Sequence, residues 1–117
     1  MADKNQAPLW AWSATEIVQA TRAGALSAMD VTDAALARLE EVNPDLNAVV
    51  DTFPAEARAE AAARDADDGP QGPLHGVPVT IKVNVDQKGR ATTNGVVAFS
   101  DVIAPDDAPV VRHLRAA

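Results

Sequence analysis

Cysteine is absent from this sequence, and histidine is scarce. Without thiols the chain can form no disulfide, offers no cysteine nucleophile and cannot build a thiolate zinc site. The two histidines, His75 and His113, lie far apart in the sequence and lack the spacing of metal ligands. No glycine-rich phosphate-binding loop occurs either. We therefore expect neither a metal nor another cofactor.

Runs of basic residues are also missing, and the net charge of the chain is -7. Binding to nucleic acid or to an anionic membrane needs a concentrated basic surface, so we expect neither partner. No stretch approaches the roughly 20 apolar residues of a membrane span. The polar residues 1–6 are followed by no apolar run typical of a signal peptide. A soluble cytoplasmic protein is the prediction.

Two helices that begin at serines are predicted near the N-terminus. Ser13 and Glu16 have the spacing of a capping box, in which each side chain satisfies a free backbone N–H at the helix start. Ser27 and Asp30 repeat the pattern. Pro44 is predicted to end the second helix, because proline disfavours helical geometry in the residue before it.

Two strands are predicted further along the chain. Residues 47–52 give a short one, and residues 77–85 give the clearest pattern. There, valine and isoleucine alternate with polar residues, which is typical of a strand with one apolar face. Thr80, Lys82 and Asn84 belong to the polar face.

A third helix is predicted over about 54–66, and a last one begins near Pro109 with Asp106 or Asp107 as its cap. Together these elements indicate an α/β fold, with N-terminal helices followed by part of a mixed β-sheet flanked by helices.

The predicted organisation is one partial domain over residues 1–117. Residues 1–12 form an arm, and its tryptophans, Trp10 and Trp12, are expected to pack it onto the body. Residues 13–73 form the helical portion with one short strand. Residues 74–117 hold the second strand, a loop and the terminal helix.

Lys82 is the most informative residue, because it alone of the three lysines lies inside a strongly apolar segment. In a polar pocket, desolvation would lower the pKa of its ammonium group. A neutral lysine can then act as a general base near pH 7. From the alternation alone, the stronger interpretation is that Lys82 and its polar neighbours line a solvated face.

Serine-based catalysis has little support within the chain. The three serines include no G-x-S-x-G motif. Ser13 and Ser27 are better explained as helix caps. The spacing of Ser100 from the two histidines gives a Ser-His-Asp triad no support.

The amino-acid sequence around Lys82 resembles a segment of the amidase signature family. Residues 72–84 read G-P-L-H-G-V-P-V-T-I-K-V-N, similar to that family's G-P-L-H-G-[IV]-P-x-x-[IV]-K-D-N segment. Residues 91–95, A-T-T-N-G, are similar to its T-T-x-G loop. The resemblance covers nearly all of the chain after about Ser13, and its central block is the specific part.

The resemblance implies amide hydrolysis by a serine nucleophile, a second serine held by a cis peptide bond, and a lysine that accepts a proton through the bridging serine. Lys82 falls on the lysine position. Thr93, Asn94 and Gly95 are expected to edge the substrate pocket, although an ordinary polar turn explains them equally well. Val83 replaces the aspartate that often follows the lysine. Neither serine of the mechanism is present, so we expect this chain alone to be inactive.

The function that the resemblance implies for the full-length protein is hydrolysis of a small carboxamide to a carboxylate and ammonia. One alternative is the A subunit of a tRNA-dependent amidotransferase. Another is a non-catalytic interaction module that uses the open edge of an incomplete sheet. The expected partner is a small-molecule amide substrate, and assembly into a homo-oligomer stays open.

Overall fold

A computed structural model describes residues 7–117 of the chain. In this range the chain forms four α-helices: α1 (Ala14–Arg22), α2 (Ala28–Leu46), α3 (Pro54–Asp65) and α4 (Pro109–Ala116). Two single-turn 3-10 helices, Leu9–Ala11 and Val97–Phe99, complete the regular structure. The chain divides into a first unit that ends at Pro78 and a second unit, Val79–Ala117. Among the helices described, none has the length and apolar character of a membrane crossing.

Both predicted capping boxes are confirmed. Ser13 Oγ accepts a hydrogen bond from Glu16 N at 3.3 Å, and the Glu16 carboxylate accepts one from Ser13 N at 2.9 Å. Ser27 and Asp30 make the same reciprocal pair, with both distances 3.0 Å. Each box satisfies backbone N–H groups that have no partner within the helix.

The prediction that Pro44 ends α2 is wrong, because the helix continues past it to the left-handed residue Asn47 (φ 48°). Proline removes one backbone donor from a helix. The Asn43 side chain then fastens the chain beyond the helix. Its Oδ1 accepts from the backbone N–H groups of Ala48 and Val49 at 3.0 and 2.9 Å, and its Nδ2 donates to Val49 O at 2.8 Å.

Polar side chains of α3 bind it to α2. The Asp65 carboxylate accepts from Ala28 N at 2.6 Å and from Met29 N at 3.0 Å, so it supplements the cap of α2. Arg58 Nε lies 2.7 Å from Asp33 Oδ1. The predicted third helix is confirmed as α3. These contacts hold it along α2. The buried apolar side chains of the first unit are mostly small: Ile17, Val18, Ala28, Val31 and Ala61.

The N-terminal arm contacts α2 through Trp10, as predicted. The Arg38 guanidinium carbon lies 4.3 Å from the centroid of the Trp10 ring, a cation–π arrangement. Trp12 Nε1 donates to Ala7 O at 3.1 Å, within the arm itself. The remainder of the predicted arm, residues 1–6, lies outside the described residues.

The predicted α/β fold with a mixed sheet is wrong, because residues 7–117 contain helices and no strand. Residues 47–52 and 77–85, the two predicted strands, are irregular or turn backbone. A period-two pattern reports which side of a segment is apolar. A strand forms only where a second strand exchanges backbone hydrogen bonds with it.

Part of the alternation survives as a difference in exposure. Ile81, Val83 and Val85 are half-buried, whereas Lys82 and Asn84 are exposed. The sequence pattern thus identified the two sides correctly over residues 81–85 but not at Val79, which is 52% exposed, and the segment has no ladder partner in the range described.

The second unit is a looped segment that ends in α4. Its closest approach to a ladder is one antiparallel bridge, Ala91 to Ile103. Its buried apolar side chains in the described structure are Ala104 and Val111. Helix α4 begins at Pro109, and its N-cap residue is Ala108 without a side-chain cap, so the predicted capping role of Asp106 or Asp107 is wrong.

Candidate functional site

Lys82 lies in the second unit, at the start of a turn that Val85 closes. Val85 N donates to Lys82 O at 2.9 Å. The Lys82 residue is exposed. Residues 7–117 therefore do not enclose it in the polar pocket that a desolvated lysine base requires. The catalytic role of Lys82 stays a prediction.

Thr93, Asn94 and Gly95 form a tight turn in the same unit. Val96 N donates to Thr93 O at 2.8 Å, and Gly95 N donates to Thr93 Oγ1 at 3.2 Å. Asn94 and Gly95 have φ angles of 48° and 76°, the signs of a type I′ turn, for which an Asn-Gly pair is strongly preferred. The polar-turn interpretation thus accounts for the backbone. Substrate binding by Thr93, Asn94 and Gly95 stays a prediction.

Asp86 connects the Lys82 turn to two other parts of the second unit. Its Oδ1 accepts a hydrogen bond from Thr92 Oγ1, next to the Asn-Gly turn. Its backbone carbonyl accepts from Ala108 N at 2.9 Å, at the start of α4. Sequence reasoning missed this residue, because a contact across a loop leaves no periodic signal.

Asp107 holds the same loop from the other side. Its carboxylate accepts from Lys88 N at 2.8 Å and from Arg115 Nε at 2.9 Å, and its side chain is only 15% exposed. Arg112 Nη1 donates to its backbone carbonyl at 2.6 Å. The pKa of Asp107 is lowered, chiefly by the Lys88 N–H bond and further by the charge of Arg115, against an opposing effect of desolvation.

His75 and Gly76, the histidine-glycine pair of the resemblance, lie in the first unit. His75 is buried, and its backbone N–H donates to Gly72 O at 3.2 Å. Gly76 has φ +77°, and a Cβ built on it would lie 3.1 Å from Ala28 Cβ. Glycine is therefore required both by the backbone and by the close approach of α2.

The interpretation of Ser13 and Ser27 as helix caps is confirmed. The hydroxyls of Ser13 and Ser27 are engaged in the two capping boxes. Ser100 is exposed and belongs to the turn after Val97–Phe99. Among the described residues, no group of acidic and histidine side chains is arranged to hold a metal ion.

An open groove of about 340 Å³ lies in the first unit, away from the predicted site residues in sequence. It is lined by the last turns of α2 and the start of α3, including Leu36, Leu39, Asn43 and Pro54. Apolar and polar residues line it in equal number, and none of the residues proposed for chemistry contributes to it.

Comparison with known proteins gives concordant matches over most of the chain. A family model described as Amidase matches residues 30–117. An indoleacetamide hydrolase from Bradyrhizobium diazoefficiens is 52% identical over 113 residues, which are 94% of this chain and 22% of that protein. The A subunit of a glutamyl-tRNA(Gln) amidotransferase from Halorhodospira halophila is 41% identical over 104 residues, 87% of this chain and 22% of that protein.

An acylamidase from Rhodococcus erythropolis is 38% identical over 108 residues, which cover 90% of this chain and 23% of that protein. The chain thus spans less than a quarter of the length of these relatives.

Proposed function

This chain belongs to the amidase family, and from that membership we propose that it forms the N-terminal part of an enzyme that hydrolyses a small carboxamide to a carboxylate and ammonia. The resemblance found around residues 72–95 is thereby confirmed at the level of the family. The strongest support for the activity is the 52% identity to an indoleacetamide hydrolase over 113 residues. Indoleacetamide is therefore the first substrate to test.

In the proposed mechanism, Lys82 is the base. A serine oxygen from the rest of the enzyme attacks the amide carbon, and its proton passes through a second serine to the Lys82 amine. The carbon–nitrogen bond then breaks as the leaving nitrogen takes up the proton held by Lys82 and departs as ammonia, and water releases the carboxylate from the acyl-enzyme. Since residues 7–117 leave Lys82 exposed, its desolvation depends on the remainder of the enzyme.

The test measures ammonia release from indoleacetamide by the full-length protein that contains this chain. We expect Lys82→Ala to lower kcat at least about a thousandfold, because the proton has no other acceptor. Lys88→Ala is the matched control, since it removes another exposed lysine and keeps the backbone N–H that binds Asp107. An active Lys82→Ala variant would exclude this role. The 117-residue chain alone is expected to release no ammonia.

The second candidate is the A subunit of a tRNA-dependent amidotransferase. The 41% identity to such a protein from Halorhodospira halophila supports it. Ammonia release from glutamine only when other subunits copurify, with no hydrolysis of indoleacetamide, would favour this candidate. The interaction-module alternative was argued from an open sheet edge, and residues 7–117 contain no sheet, so the structure gives that alternative no support.

A further inference from the structure

Asp86 lies between the two turns that carry the predicted site residues. In the first turn, Val85 N donates to Lys82 O, and Asp86 follows directly. The second turn begins at Thr93, and Thr92 directly precedes it. Any contact between positions 86 and 92 therefore restricts where one turn can lie relative to the other.

The structure contains such a contact, and it joins two side chains. Thr92 Oγ1 donates to Asp86 Oδ1. An ionised acceptor makes a shorter and stronger hydrogen bond than a neutral one. Thr92 is itself held by its backbone, since Thr92 N donates to Val102 O at 3.2 Å. The backbone carbonyl of Asp86 also accepts a hydrogen bond from Ala108 N at 2.9 Å, which fixes Asp86 to the start of α4.

We propose that Asp86 is a positioning residue, which sets the place of Lys82 relative to the Thr93–Gly95 turn through its hydrogen bond with Thr92. The inference rests on the proposed amidase function. Asp86 touches no reacting atom in this proposal. It acts through Lys82, whose proton transfer depends on a position accurate to a fraction of an ångström.

A purely structural role makes a different prediction. If the bond only stabilises the second unit, its loss lowers the fraction of folded protein and leaves kcat per folded molecule unchanged. A positioning role lowers kcat per molecule in a fully folded protein, because proton transfer requires Lys82 at its place relative to the Thr93–Gly95 turn.

The experiment uses the full-length protein with indoleacetamide as substrate. Thr92→Val keeps the shape of the side chain and removes the donor, and Asp86→Ala removes the acceptor. Each is expected to lower kcat per folded molecule about tenfold or more. The double variant is expected to be no slower than the slower single one, because both changes break one bond. Thr92→Ser keeps the hydroxyl and should restore kcat.

Asp101→Asn is the control, since Asp101 is an exposed aspartate of the same unit outside the contacts of Asp86. Hydrogen exchange of the Val96 amide, which closes the second turn, gives a readout that needs no activity. Faster exchange of this amide in folded Thr92→Val supports the proposal, and unchanged exchange overturns it.

The outcomes separate the two proposals. An active wild type whose Thr92→Val variant keeps its kcat, or whose Thr92→Ser variant is as slow as Thr92→Val, overturns the positioning role alone. A wild type that hydrolyses no carboxamide overturns the proposed function and the catalytic part of this inference with it. The exchange of the Val96 amide then decides whether the bond orders the turn.

Discussion

In the first unit, helices meet through small buried side chains, whereas in the second unit two aspartates hold a loop together. Asp65 joins α3 to the start of α2 in the first unit, where the apolar contacts are also concentrated. In the second unit, Asp86 and Asp107 bind loop residues, and the described apolar core is Ala104 with Val111. The predicted chemistry lies in the unit with less buried apolar surface.

The unit with the larger set of buried apolar side chains is therefore not the unit that carries the predicted site. Binding and catalytic residues concentrate in loops, and the second unit consists largely of loops. The second unit also leaves large apolar side chains exposed, among them Val97 (88%) and Ile103 (54%). Exposed apolar patches are typical of surfaces that contact other protein segments.

The largest expected effect falls on the first unit, at Gly76. Gly76→Ala places a methyl group on a backbone with φ +77° and 3.1 Å from Ala28 Cβ. We expect the free energy of unfolding to fall by about 2 kcal/mol, from left-handed strain and crowding together. Urea unfolding followed by tryptophan fluorescence measures it, because Trp10 and Trp12 both lie in this unit.

Gly24→Ala is the matched control for Gly76→Ala. Gly24 also has a positive φ, +68°, but a Cβ built on it meets no atom within 4 Å. It should show only the backbone part of the cost, about 1 kcal/mol. Equal losses in the two variants would contradict a role for the close contact with α2.

The sequence was sufficient for features whose cause lies within a few residues. The capping boxes at Ser13 and Ser27 depend on a partner three positions away, so their pattern is readable directly. The family was readable as well, because the block around Lys82 is long and specific. The polar turn offered as the alternative at residues 93–95 is local as well, because an Asn-Gly pair favours its type I′ geometry.

Features that depend on distant residues could not be read in this way. Asp65 reaches Ala28 across 37 positions, and Asp107 reaches Lys88 across 19. The prediction of a sheet was wrong for the same reason, because alternation over residues 77–85 does not indicate whether a partner strand is present. The exposure of Lys82 is likewise decided by what surrounds it, and a one-dimensional pattern does not specify those surroundings.

A smaller effect is expected in the core of the second unit. Val111 is 2% exposed, whereas its neighbour Val110 is 52% exposed. Val111→Ala removes two buried carbon atoms and should lower the stability of the unit by about 1.5 kcal/mol. Hydrogen exchange of the α4 amides measures this loss. Val110→Ala is the control, and an equal acceleration of exchange in both variants would show that burial of Val111 does not stabilise α4.

The smallest expected effect is on the pKa of Asp107. It tests whether the Lys88 backbone N–H or the Arg115 charge contributes more to lowering that pKa. The pKa of Asp107 lies below its ordinary value of 3.8, with the Lys88 N–H bond as the largest cause and Arg115 as a lesser one. A carboxyl whose pKa is lowered by folding stabilises the folded state above its unfolded pKa. That contribution is lost as the pH falls through the lower, folded value.

An NMR titration of the Asp107 carboxyl carbon checks the order of these causes. In Arg115→Gln, the pKa of Asp107 should rise only part of the way toward 3.8, because Lys88 N still donates to Oδ1. A complete return to 3.8 would mean that the Arg115 charge is the dominant cause. The second unit would then depend on an ion pair that salt screens, rather than on a backbone contact that salt affects little.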